Sequence, residues 1–96
     1  MKDDRGISSD ALEAMNIVAD NILQARKARL YSQEDMAKAC NIALGTYAAV
    51  EKGSLSPGMG AYVKVLDHLG LAASMMFMGA SQFDVNGQTL RRCQSR

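Results

Sequence analysis

Apolar residues recur along this chain at three- and four-residue steps in several separate stretches, each ending on residues that stop a helix. Leu12, Met15, Val18, Ile22 and Ala25 form the first stripe, one inward face that runs until the cluster Arg26, Lys27 and Arg29. Asp10, with Glu13 three positions on, has capping-box spacing and predicts a helix start near that point. Ser32 and Asp35 repeat the spacing and open a short second helix with Met36, Ala37 and Cys40 on one face. Asn41 tolerates the left-handed backbone of a tight turn, Ile42 offers an apolar plug, and a third helix is predicted from Ala43 to Lys52, before Gly53. Ser56 is expected to cap a fourth helix with Pro57 in its first turn. Its stripe is Met59, Tyr62, Val63, Leu66 and Leu69, and Gly70 closes it.

Beyond Gly70 the pattern changes. Ala73 to Met78 is too short for an independent helix and suits a buried strand by its length, although periodicity does not decide between strand and helix. Gln82 to Val85 and Gln88 to Arg91 flank Asn86-Gly87, the dipeptide that best populates a type I′ turn, so a hairpin is predicted with Phe83 facing Leu90. A lone hairpin is only marginally stable, which makes residues 73–78 of the same or a second chain its expected partner. The predicted architecture is mainly α: a mobile arm over 1–9, a helical domain over 10–71, and a strand, hairpin and basic tail over 72–96 that serve dimerisation.

Composition narrows the function classes. The chain has 96 residues, enough for one domain, and with two Phe, three Tyr and no Trp its core must come from Leu, Ile, Val, Ala and seven Met. The formal charge of +1 does not announce a nucleic-acid partner, so the distribution matters more. Basic character is local: the cluster Arg26, Lys27, Arg29 either meets phosphate or, the commoner arrangement, complements a helix C-terminus. Cys40 and Cys93 stand apart with no CxxC spacing, so free thiols are expected rather than a zinc site or a disulfide framework. His68 has no second ligand at metal-binding spacing, and Met15, Met36 and Met59 lie on core stripes. No run is long and apolar enough to span a bilayer, and Met1-Lys2-Asp3-Asp4 lacks the apolar region of a signal peptide. The expected protein is cytoplasmic, with no membrane partner, no cofactor and no enzymatic constellation.

From Val18 to Leu71 the chain resembles the lambda-repressor-like, or Xre, family of helix-turn-helix DNA-binding domains. The resemblance rests on order and spacing. It runs through Asn21-Ile22, Ala25-Arg26-Lys27, Ser32-Gln33-Glu34-Asp35-Met36-Ala37, Ile42, Thr46, Glu51-Lys52-Gly53, Ser56-Pro57 and Val65-Leu66-Asp67-His68-Leu69-Gly70-Leu71. It implies that one short helix crosses the phosphates while the next enters the major groove. A short apolar strand after the last helix is similar, by placement alone, to the HipB type of antitoxin, in which that strand pairs across a dimer axis.

Carried over residue by residue, the resemblance assigns Ser32 and Gln33 to the sugar-phosphate backbone. It assigns Ala43, Leu44, Thr46 and Ala49 to the outer face of the recognition helix, and Lys52 and Ser54 to the backbone beyond it, with an ordinary solvated surface charge the equal alternative for Lys52. Ser32 would cap its helix in any case, whereas Gln33 has no structural duty visible in the sequence. Tyr47 is a core residue or a phosphate contact, and core is favoured because the family has an apolar residue there. Glu51 is expected to pair with a basic residue of the first helix, Arg26. The departure from the family is chemical: Ala43 to Ala49 holds no Arg, Lys, Asn or Gln to hydrogen-bond base edges. The function implied is a dimeric regulator, most often a repressor, on a palindromic site in double-stranded DNA. The alternative is an antitoxin or interaction module that holds a toxin partner, with DNA binding secondary.

Overall fold

The computed structural model describes residues 6–80, which form four α-helices and a closing 3-10 helix. The helices are α1 (Ser9–Ala28), α2 (Gln33–Cys40), α3 (Leu44–Glu51) and α4 (Gly58–His68), and the 3-10 helix spans Ala72–Phe77. The first residues of the expected arm, the Asn86-Gly87 hairpin and the basic tail lie outside the described residues.

Helix α1 starts earlier than the Asp10 signal suggests, because Ser8 is the cap: its hydroxyl accepts the Ala11 N–H at 3.1 Å. The box at α2 is reciprocal, with the Asp35 N–H on Ser32 Oγ at 3.0 Å and the Ser32 N–H on Asp35 Oδ2 at 2.9 Å. Those two bonds hold the fully exposed Asp35 carboxyl below its ordinary value. Asn41 takes the left-handed conformation at φ 57° and ends α2, and Ile42 turns back onto the core. Ser56 does not cap α4. The loop is held instead by Ser54, whose Oγ accepts the Ser56 N–H at 3.2 Å and whose carbonyl accepts the Tyr62 hydroxyl at 2.6 Å.

All four helices contribute to one core, in which Ile22, Met36, Tyr47, Val50, Val65 and Leu69 are buried. Helix α3 sits against α1, α2 and α4 together, so its position is fixed from three sides. Gly53, at φ 73°, lets the chain leaving α3 pass close to α1; a Cβ there would stand 3.0 Å from the Met15 carbonyl oxygen. The Met59 expectation fails: at 58% exposure it is outside the core, on the wall of an open apolar groove.

The largest correction concerns residues 73–78, which are not a strand: residues 73–77 belong to the 3-10 helix and Met78 is its C-cap. The segment Ala-Ala-Ser-Met-Met-Phe-Met contains no β-branched residue, and Ala and Met favour helix. Its backbone is served locally, with the Ser74 N–H on the Leu71 carbonyl and the Met78 N–H on the Met75 carbonyl, both at 3.0 Å. The likeness to HipB-type antitoxins thus loses the strand it rested on.

Leu30 carries a strain that a test can read. It sits between α1 and α2 at φ 59°, where a side chain is crowded by its own backbone, and it is 91% exposed, so burial returns little. Leu30→Gly is expected to raise stability by roughly 1 kcal/mol, a Tm increase of about 4–8 °C for a domain of this size. An unchanged or lower Tm in a thermal melt would show that Leu30 makes a stabilising contact.

Candidate nucleic-acid interface

Two short helices joined by the Asn41 turn define the interface, and their mutual position depends on one carboxylate. Glu51, in the last turn of α3, is 5% exposed and accepts hydrogen bonds from three elements. Arg26 of α1 reaches it through Nε and, at 3.2 Å, through Nη2; the Tyr47 hydroxyl of α3 donates to Oε2, and Gln33 Nε2 of α2 donates to Oε1 at 2.9 Å. The expected Arg26–Glu51 pair is therefore present. The Gln33 bond is an addition that the sequence did not show, since it depends on the start of α2 meeting the end of α3.

The protonation states follow from these partners. Burial alone would raise the Glu51 carboxyl, but the bonds from Arg26, Tyr47 and Gln33 outweigh it and leave the group below its ordinary value. Arg26 is shifted up by the same carboxylate, and burial together with Glu51 pushes the Tyr47 phenol up, so it remains a donor. Arg26 also donates to the Tyr31 carbonyl at 2.8 Å. Arg29 bonds the Ala25 and Leu69 carbonyls at 2.8 and 2.9 Å. Both arginines of the basic cluster thus have structural work, and Lys27 is exposed.

The remaining candidates divide by exposure. Ser32 is exposed, and its hydroxyl accepts the Asp35 N–H while its own proton stays available to a further acceptor. Gln33 is half-buried, with one amide proton and its carbonyl oxygen beyond the Glu51 bond. Ala43 and Leu44 are exposed, and Thr46 and Ala49 are half-buried. Lys52 is exposed just past α3, whereas Ser54 is half-buried and committed to its own loop. Tyr47 is wholly buried, so its ring belongs to the core and takes no place on the outer face.

The start of α3 differs from that of α2 in a way that bears on ligands. Ala43 provides no side-chain cap, and no acidic residue lies in the first turn. The first N–H groups of α3 therefore point outward uncapped, with the positive end of the helix behind them. Gly45, one residue into that turn, is exposed with nothing within 4 Å of the place a Cβ would take. A bare glycine in the outer turn lets another backbone come close. Gly45→Ala is expected to raise stability by about 1 kcal/mol, because the methyl has room and glycine disfavours helix. Urea titration checks this, and a destabilised variant would mean that the site is more crowded than its open surroundings indicate.

Among the described residues no helix is long and apolar enough to cross a membrane, and no group of His, Cys, Asp or Glu is placed to hold a metal ion. Four helices with a tight turn between α2 and α3, and an uncapped outer start to α3, define a helix-turn-helix protein. The helix-turn-helix family profile matches residues 22–74, more than half of the chain. The chain belongs to this lambda-repressor-like, or Xre, family of DNA-binding helix-turn-helix proteins. No curated protein and no solved structure matches it.

Proposed function

We propose that this DNA-binding helix-turn-helix protein is a transcriptional repressor that binds a palindromic operator as a homodimer. Helix α3 enters the major groove of each half-site, and half-sites lie about one helical turn, roughly 34 Å, apart. The start of α2 lies on the phosphates, where Ser32 and Gln33 donate to the backbone and Lys52 adds a charge beyond α3. Leu44, Ala43 and the Thr46 methyl meet thymine methyl groups, and Ala49 permits close approach one turn later. Ser54 acts through the loop it holds.

The observation that carries this reading is the outward, uncapped and uncharged start of α3 at Leu44-Gly45-Thr46, held in place from behind by the Glu51 cluster. Without Arg, Lys, Asn or Gln on that face, base discrimination comes from methyl contacts and from DNA shape. Selection of duplexes from a random library tests this. An enriched inverted repeat with thymine at fixed positions is expected, and a pool with no enriched repeat would overturn sequence-specific operator binding.

A second reading, an antitoxin-like module that holds a protein partner, is favoured by one observation: the outer face of α3 has few hydrogen-bonding side chains. Purification of the native complex discriminates the two. A stoichiometric second protein supports the module, and a chain that comes away alone with its operator supports the repressor.

A further inference from the structure

The two oxygens of the Glu51 carboxylate have different partners. Oε2 accepts Arg26 Nε and the hydroxyl of the buried Tyr47, whereas Oε1 accepts Gln33 Nε2 at 2.9 Å and Arg26 Nη2 at 3.2 Å. Oε2 therefore ties α3 to the core, and Oε1 reaches the half-buried first residue of α2, next to the exposed Ser32 cap.

We propose that Glu51 is a positioning residue for DNA binding: without touching DNA, it holds the Gln33 amide so that one nitrogen serves the carboxylate and a phosphate together. An amide NH2 carries two protons and can donate to two acceptors, while its carbonyl oxygen donates to none. A carboxylate and a phosphate both only accept. With Glu51 on one proton, the flipped amide, which would set its oxygen against both anions, is excluded. Ordering the amide in advance also removes rotamer entropy that a free glutamine loses on binding. The nearby negative charge is offset within the protein, because Glu51 is 5% exposed and bonded twice by the Arg26 guanidinium.

This role rests on the operator reading, and its test separates the two. Affinity for the selected duplex is measured by anisotropy at neutral pH for wild type, Glu51→Gln, Gln33→Ala and the double variant, under conditions where circular dichroism shows all four folded. In Glu51→Gln the carbonyl goes to the side of Arg26 Nε and Tyr47, so the new NH2 faces Gln33 and favours the flipped amide. The expected loss is about tenfold with Gln33 present and less than about twofold with alanine there. It should be the same factor for every duplex, since phosphate contacts carry no sequence information. Tyr47→Phe, which removes a donor from Oε2 alone, is expected to keep wild-type affinity. Equal losses from Glu51→Gln in both Gln33 backgrounds overturn the proposal alone, and a wild-type chain that binds no duplex overturns the operator reading with it. Should Glu51→Gln not fold, solvent exchange of side-chain amide protons in the wild-type chain decides. One Gln33 proton is expected to exchange more slowly than those of the exposed Gln24 in the free chain, and both in the complex. Gln33 protons that exchange as fast as those of Gln24 in both states overturn it.

Discussion

Glu51→Ala is expected to cost about 3 kcal/mol and to lower Tm by more than about 10 °C. The substitution removes the shared acceptor of Arg26, Tyr47 and Gln33, and it leaves a guanidinium that is only 12% exposed without its carboxylate partner. Breaking one side of such a pair is costly for that reason, even where the intact pair is worth little. Tyr47→Phe, which removes one donor and keeps the buried ring, should lose only about 1 kcal/mol. A loss below that for Glu51→Ala would place the cluster among surface ion pairs.

The same carboxylate gives a pH signature with a definite sign. Its folded-state value lies below the ordinary 4.5, so its contribution to stability is complete above that value and is lost as pH falls through the lower, folded one. The stability gap between wild type and Glu51→Gln should thus be widest above pH 4.5 and should narrow in more acidic buffer. A gap that widens on acidification would reverse the assignment of Glu51 as the ionised partner.

Leu44→Asp is expected to separate folding from function more sharply than any other single change. Leu44 is the first residue of α3 and is 45% exposed, so its replacement disturbs little packing. A carboxylate there also suits the positive end of the helix, and stability should stay within about 0.5 kcal/mol of wild type. Facing DNA, the same carboxylate opposes phosphate and displaces a methyl contact, and affinity for the selected operator should fall at least about a hundredfold. Fluorescence anisotropy reads the affinity, and a melt reads the fold. Unchanged affinity in a folded variant would remove Leu44 from the interface.

Local chemistry made much of this architecture legible. The Ser32–Asp35 box, the left-handed Asn41 and the stop at Gly53 each follow from what one residue type can do with its own backbone, and all three appear as expected. The Arg26–Glu51 pair was legible through family spacing. What depended on tertiary placement was not: Gln33 gains its Glu51 bond only because the start of α2 meets the end of α3, and Met59 lines an open groove instead of the core. The strand expected at 73–78 failed for a different reason. Length suits that apolar run to a strand, but the absence of β-branched residues and the i to i−3 bonding available to Ala, Ser and Met decide for helix. On the candidate interface, exposure separated Tyr47 from its neighbours, a distinction that spacing alone left open.

The most direct test of DNA docking through α2 and α3 is amide chemical-shift mapping of the chain titrated with its selected duplex. The largest shifts are expected on Ser32, Gln33, Leu44, Gly45 and Thr46, with Lys52 following and the buried core nearly unmoved. Shifts centred on the groove of Met59 and Met75, with the start of α3 silent, would contradict it.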